Sequence, residues 1–444
     1  MGGTNITCRN PNADRRIGME NNFSAEAKVA DGSDQLKAYR KKFLITDAHV
    51  IYLNGNSLGR LPLASKELAQ KVISEEWGQQ LIGGWNKRWY KLSAKLGAKL
   101  SLLIGAKAHE VIFADSTSVN LFKLAYAALQ CNPLRKKIII DAFNFPSDHY
   151  ILQGVVQMLS ANHEIIIIPS VDGVTINEKD IENALDNEVA LVCLSYVGYQ
   201  TSFKYNMRSV TQMVHAAGAK IIWDLSHAAG AVPVDLNGCQ ADYAVGCSYK
   251  YLNGGPGSTA YLYVREDLIP DSKTPVWGWF GSAKPFDFDL QYEPSEGIQR
   301  FLAGTPPVLS LSVVEPALDM IFEAGIDRID AKSKGQSEYF ITMLRFLHQK
   351  FRDLELSSPK NPAQRGSHIT IRHPHAAGIT QAMINPLKSN VSVITDFRKP
   401  NFIRFGLTPL YTSYQELYMA YTRLHEILDK KEYLNYPERI QGVT

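Results

Sequence analysis

No stretch of the 444 residues approaches the roughly 18 consecutive apolar residues that a membrane-spanning helix requires, so an integral membrane protein is not expected. The chain also lacks an excess of either charge. Its 47 Lys and Arg against 44 Asp and Glu leave a net charge of +3. The basic residues are dispersed rather than clustered, which argues against a nucleic-acid partner. Cysteine is sparse: Cys8, Cys131, Cys193, Cys239 and Cys247 are an odd, scattered set with no CxxC pair. That excludes a disulfide framework and a zinc-type motif, and fits reduced thiols in the cytoplasm. The first 20 residues are polar and show no signal peptide. Met19 is the expected start of the folded protein, with residues 1–18 a lead. No internal repeat or low-complexity segment is evident. What remains is 45% apolar and 20% charged, an ordinary globular composition over a length that predicts two domains.

The most informative stretch is Ser248-Tyr249-Lys250-Tyr251-Leu252-Asn253-Gly254-Gly255-Pro256-Gly257-Ser258. Apolar runs on either side, Asp242–Gly246 and Thr259–Val264, read as strands. Lys250 is therefore expected at a strand end, on a loop whose glycines allow close backbone approach. A buried lysine has a lowered pKa, and its neutral amine can form a Schiff base. Asp224 lies 26 positions earlier, at the end of the apolar run Lys220-Ile221-Ile222-Trp223, with His227 three residues on. Enzymes that use pyridoxal phosphate (PLP) need such a lysine for the aldehyde and an acid for the pyridinium nitrogen. An α/β core whose strands happen to end in Asp and Lys is an equally good reading of these two residues alone.

From 137 to 264, apolar runs alternate with helical stretches: Lys137–Ile140, Glu164–Ile168, Ala190–Leu194, Lys220–Trp223, Tyr243–Val245 and Thr259–Val264. This predicts a mostly parallel sheet covered by helices, with ligands at the carboxyl ends of its strands. Asn144–Tyr150, Ser195–Tyr199, Asp224 and Lys250 all follow such runs. Ser116, Thr117 and Ser118 precede the apolar helix Leu121–Leu129, which suits either a plain N-cap or a phosphate site.

Upstream, a short charged helix is expected over 35–45, a strand and turn over Ile51–Gly59, and helices over 62–81 and 91–104. Between the last two, Trp85 sits in a Gly-rich loop that would rarely bury it without a ligand or partner. Downstream, 275–310 reads as irregular loops and 308–351 as one long helix. A small domain follows, starting near 366 with strand Ser367–Ile371 and closing with helix 413–430. Its Arg404, in an otherwise apolar strand, is either an edge residue or a fork for a carboxylate. The expected organisation is a lead over 1–34, a segment over 35–90 serving the small domain and the site's rim, a large domain over 91–320, a linking helix over 321–365 and the small domain over 366–444.

Six of these stretches together closely resemble the kynureninase family: Asp224–Gly230, Ser248–Gly257, Phe145-Pro146-Ser147-Asp148, Gly278-Trp279-Phe280-Gly281, Asn56-Ser57-Leu58-Gly59 and Arg404–Tyr411. The match runs from about residue 40 to 430. It implies the PLP-dependent transferase fold type I, with a mostly parallel seven-stranded sheet in the large domain and a small C-terminal α+β domain. It further implies hydrolysis of L-kynurenine to anthranilate and L-alanine in tryptophan catabolism and NAD biosynthesis, with 3-hydroxykynurenine as a secondary substrate. Lys250 would hold the cofactor and move protons, Asp224 would pair with the ring nitrogen, and Phe145 would stack on the ring with Asp148 and Ser195 near its edge. Thr117, Ser118, His227 and Tyr249 would bind phosphate, with Trp279 and Thr305 reaching in from a second subunit of a homodimer. Tyr249 would also donate or relay a proton. Arg404 would hold the substrate carboxylate, and Trp85 and Thr305 would face its aromatic ring.

Trp85 and Thr305 stand as in bacterial members, where animal members carry His and Asn and favour the 3-hydroxylated substrate. Gln200, Ser202 and Ser282 depart from the family pattern. Two rivals are a cysteine desulfurase-like enzyme and a non-catalytic descendant kept as a binding or structural protein. The first needs a nucleophilic cysteine on a late loop, yet no cysteine follows Cys247. The second would be free to lose Lys250, Asp224 or Arg404, and all three are present.

Overall fold

The computed structural model describes residues 11–159 and 162–438. The described part of the lead is not loose chain, because Pro11–Ser33 is one helix. Phe23 anchors it, buried among Tyr339, Phe346 and Tyr421 in edge-on contacts. Asp31 accepts hydrogen bonds from the backbone N–H groups of Tyr414 and Gln415 at the start of another helix. A folded part beginning at Met19 is thus corrected to a helix already under way at Pro11, while residues 1–10 lie outside the described residues. Strand β1 (Val50–Tyr52) follows.

The large domain is built on β2 (Val111–Phe113), β3 (Lys137–Asp141), β4 (Glu164–Ile168), β5 (Val189–Ser195), β6 (Lys220–Asp224), β7 (Tyr243–Gly246) and β8 (Tyr261–Val264). They form one sheet in the order β2-β8-β7-β6-β5-β3-β4. Pairing is parallel from β7 to β4, and β8 runs against both its neighbours. All but the edge strand β4, where Glu164 and Ile167 are exposed, are covered on both faces and are apolar on both. Val192, Ile221 and Trp223 face one hydrophobic layer, and Leu191, Cys193 and Ile222 face the other. β2 is absent from the sequence reading because three apolar residues make no readable period.

The helix expected over 308–351 is two helices, Val308–Ala324 and Ile326–Lys350. They break at Gly325, whose φ of 81° leaves the helical region. Leu311, Val314, Leu318 and Ile321 of the first pack into the large-domain core, whereas Phe340, Ile341, Leu344 and Leu347 of the second pack into the small-domain core. The start of the second helix still packs on the large-domain core through Ile326 and Ile329, so one core gives way to the other just past the break.

The small domain contains β9 (Glu355–Leu356), β10 (His368–Arg372), β11 (Ser392–Ile394), β12 (Asp396–Arg398) and β13 (Phe402–Gly406). Four of these form an antiparallel sheet, β12-β13-β10-β9, while β11 pairs in parallel with β1. The expected linker over 321–365 thus gives up Glu355–Leu356 to this sheet. The closing helix is Tyr414–Asp429, started by a capping box between Ser413 and Glu416. No helix among the described residues is long and apolar enough to cross a membrane.

Candidate active site

At the carboxyl edge of the large sheet, strand ends, one helix start and the small domain enclose a cavity of about 520 Å³. Thr117, Ser118, Phe145, Asp148, Asp224, His227, Tyr249, Lys250 and Arg404 line it. Nine of the residues singled out from sequence, spread over 288 positions from Thr117 to Arg404, therefore meet in one place.

Asp224 ends β6 and is buried, its Oδ1 accepting from the Ser226 backbone N–H at 2.8 Å. Lys250 lies on the loop after β7 and is half-buried rather than buried. Its Nζ stands 6.0 Å from the Phe145 ring centroid and 5.7 Å from that of Tyr249. The loop is tied by Asn253 N–H to the Lys250 carbonyl at 2.9 Å and Gly254 N–H to that of Ser248 at 2.8 Å. Gly59 donates to the Tyr249 carbonyl at 2.8 Å. A Cβ at Gly59 would meet the Lys250 carbonyl oxygen at 2.4 Å, so the Asn56–Gly59 turn is a clamp on the lysine loop.

Phe145 presents an exposed ring, held edge-on by Tyr199 at 5.2 Å. Its loop is fixed from below by Asp141, which accepts from Tyr205 Oη at 2.6 Å and from the backbone N–H groups of Phe143 and Asn144. Asn144 Nδ2 in turn donates to Asp148 at 3.0 Å, and Asn144 Oδ1 accepts from the Ser195 N–H at 3.2 Å. Ser195 is buried beside Asp224 in the strand register and lies outside the cavity lining, so it is placed as a support rather than a wall.

Burial pushes the Asp141 carboxyl up to about 6 from 3.8, against its three hydrogen bonds. A raised acid contributes stability that is complete below its unfolded value and lost as pH rises through its folded one. The parent is therefore expected to lose stability relative to Asp141→Asn between about pH 4 and 6. Denaturant midpoints of the two proteins across that range check this, and a constant difference between them refutes it.

Electrostatically, two buried carboxyls share the charge of Lys250. Burial drives both the Asp148 and Asp224 carboxyls up; the charge of Asp224 raises Asp148 further, while Lys250 pulls both back. Burial, then the Lys250 charge, pushes His227 well below the usual imidazole range, leaving it neutral, and its Nε2 is buried with no hydrogen-bond partner. Burial holds the Tyr249 phenol protonated. Thr117 and Ser118 open the helix Thr117–Cys131, capped by Ser116 through the Val119 N–H. A flat aromatic cation with a phosphate tail fits this set. Asp224 would hold such a ring's nitrogen, Phe145 its face, and Thr117, Ser118 and the unpartnered His227 its phosphate.

Trp85, Trp279 and Thr305 are not on this cavity's wall. Trp85 packs 5.6 Å from both Trp89 and Phe280, and Trp279 lies 4.3 Å from Phe280. Both tryptophans thus belong to one aromatic group, with Trp279 and Thr305 exposed. Gln200 and Ser202 serve the domain junction, where the Gln200 carbonyl accepts from Thr370 Oγ1 at 2.6 Å and the Ser202 carbonyl accepts from Gly366 N–H at 2.8 Å. Ser282 Oγ accepts from the Lys284 N–H at 3.2 Å, away from the cavity. The sequence reading missed Asp396, Arg398 and Ser57, which line the cavity around Arg404. An Asp and an Arg in alternate positions of the short strand β12 were the available signal.

A kynureninase C-terminal domain family model matches residues 329–424. The chain is 42% identical over 406 residues to the kynureninase of Pseudomonas fluorescens, covering 90% of this chain and 94% of that protein. It is 42% identical over 409 residues to the kynureninase of Burkholderia mallei, covering 91% and 95%. Among solved structures, the apo cysteine desulfurase from Thermococcus onnurineus superposes with a TM-score of 0.77 at 19% identity, covering 89% of this chain and 98% of that one. A lysine-to-alanine variant of C-DES with glycine covalently linked to its PLP cofactor gives 0.73 at 15% identity, covering 85% and 97%. At those identities the likeness is one of fold. The cavity itself offers no desulfurase nucleophile, since Cys193 and Cys247 are buried and burial pushes both thiols up.

Proposed function

The chain belongs to the kynureninase family, and from that premise we propose that the cavity at the sheet's carboxyl edge is where it cleaves L-kynurenine. The enzyme is a PLP-dependent hydrolase of the Cβ–Cγ bond, giving anthranilate and L-alanine. The observation that supports this location is the convergence of Lys250, Asp224, Phe145 and Arg404 on one cavity.

When bound, PLP supplies an aldehyde for an amino group and a protonated ring that accepts electron pairs from bonds broken beside it. In our reading the chain does the rest. Lys250 Nζ would hold the cofactor and, once the substrate amine has taken its place, would take the proton from the substrate Cα and later return it there. Asp224 keeps the proton on the ring nitrogen. Phe145 covers one face of the ring, with Asp148 at its edge. Thr117, Ser118 and neutral His227 hold the phosphate. Arg404 orients the substrate carboxylate. Water adds at the γ-carbonyl carbon and its oxygen leaves with anthranilate. The Cβ left behind receives a proton from the Tyr249 phenol, which burial keeps protonated.

Trp85, Trp279 and Thr305 are read as parts of a second subunit's site, which makes the working unit a homodimer. Trp85 joins this group because it packs on Phe280, against which Trp279 also packs. We place the protein in the cytoplasm, in the kynurenine pathway of tryptophan catabolism and NAD biosynthesis, with 3-hydroxykynurenine as the slower substrate.

Purified protein loaded with PLP should release fluorescent anthranilate from L-kynurenine. A visible cofactor band without anthranilate would overturn the substrate assignment. Shared sites have a separate test. Lys250→Ala and Trp279→Ala chains, each inactive alone, should on mixing regain about a quarter of parental activity through dimers with one intact site. No recovery on mixing refutes the sharing.

A further inference from the structure

Arg404 is 1% exposed and sits across the β12–β13 ladder from Asp396, its register partner. Its Nη1 donates to the Tyr199 carbonyl at 2.6 Å, and its Nη2 donates to Ser57 Oγ at 3.0 Å and to Asp396 Oδ2. Its Nε is buried without a partner. Asp396 is itself 1% exposed, and the same Oδ2 also accepts from Ser57 Oγ at 2.8 Å and lies 3.1 Å from Arg398 Nη2. Arg398 is two residues along the same strand, hence on the same face. It lines the cavity, and its Nε is buried with no partner.

A guanidinium offers a carboxylate two edges, Nε with Nη2 or Nη1 with Nη2. Both edges need a hydrogen on Nη2, and both of its hydrogens are already donated. A two-point grip on a substrate carboxylate therefore requires Nη2 to release a partner. The partner that an incoming anion repels is Asp396, not neutral Ser57. A second guanidinium already stands within reach of the displaced carboxylate, and two cations around one anion leave charge for another.

We propose that Asp396 is a positioning residue that occupies Arg404 in the resting enzyme and passes to Arg398 when the substrate's α-carboxylate takes its place. Substrate entry is then an exchange of carboxylates, and amines lacking a carboxylate leave Asp396 where it is. This rests on the reading of Arg404 as the carboxylate anchor.

The test is calorimetric titration of the PLP-loaded enzyme with L-alanine and with ethylamine, which lacks the carboxylate. Arg398→Gln removes the second seat and should weaken L-alanine about tenfold with ethylamine unchanged. Asp396→Asn loosens the occupied edge and should tighten L-alanine about tenfold, and the double variant should reverse the loss in Arg398→Gln. Weaker L-alanine binding in folded Asp396→Asn would overturn the exchange and leave Asp396 a static brace. Equal losses for both ligands in Arg398→Gln would also overturn it, and that variant decides the matter should Asp396→Asn not fold. Unchanged L-alanine affinity in Arg404→Lys would instead refute the Arg404 reading itself.

Discussion

Replacing Lys250 with alanine is expected to reduce anthranilate formation by about 10³-fold or more, because one side chain serves two steps. Its Nζ, in the cavity near the rings of Phe145 and Tyr249, is the proposed covalent anchor of the cofactor. The same atom is the proposed base at the substrate Cα, and general acid–base catalysis alone contributes roughly 10²–10⁴-fold. The visible absorption of the lysine-bound cofactor should vanish, and a small primary amine added to the solution should restore part of the rate. Stopped assays for anthranilate with absorption spectra of parent and variant check this. A variant retaining more than about a tenth of the parental rate would remove Lys250 from the mechanism.

Asp224→Asn is expected to lower kcat by about 10²–10⁴-fold while keeping the fold, since an amide cannot hold a proton on the ring nitrogen. It should also separate activity from stability. In the cofactor-free chain, burial raises the Asp224 carboxyl above 3.8, so the stability it contributes is complete below that value and is lost as pH rises. Asparagine removes that loss. Cofactor-free Asp224→Asn should therefore unfold at a higher denaturant concentration than the parent at pH 7, and PLP should stabilise the variant less than the parent. Measuring both midpoints with and without PLP decides it. A variant less stable than the parent without cofactor and equally stabilised by it would show that Asp224 serves packing rather than the ring.

Much of the large domain was legible because all its strands but the edge strand β4 are covered on both faces. Six near-continuous apolar runs, each followed by polar or small residues, announce a parallel sheet and mark its functional edge. β2 escaped because it is three residues long. The helix expected over 308–351 kept its apolar period across Gly325, and only the positive φ at that glycine shows where it breaks, just before the large-domain core gives way to the small-domain core. In the site, Lys250, Asp224 and Phe145 could be found by their chemistry at strand ends. Ser195 carried the same signal and shares Asp224's face of the sheet, yet only Asp224 is on the cavity's wall. Trp85 stood out as a loop aromatic in need of a partner, and the structure packs it on Trp89 and Phe280 rather than on the cavity's wall.

The amino-acid order by itself determined the class of chemistry: a lysine and an aspartate at neighbouring strand ends, a hydroxyl-rich helix start and an arginine in an apolar strand. These depend on residue type and local period, which are written along the chain. Tertiary structure alone decided which groups share an atom's worth of space. Asp396 and Arg398 meet Arg404 only because β12 pairs with β13 in one register. Ser57, 347 positions from Arg404 in the chain, joins them only because β1 and the turn after it are carried to the small domain. Contacts of that kind depend on the register and docking of distant segments, and no local pattern encodes them.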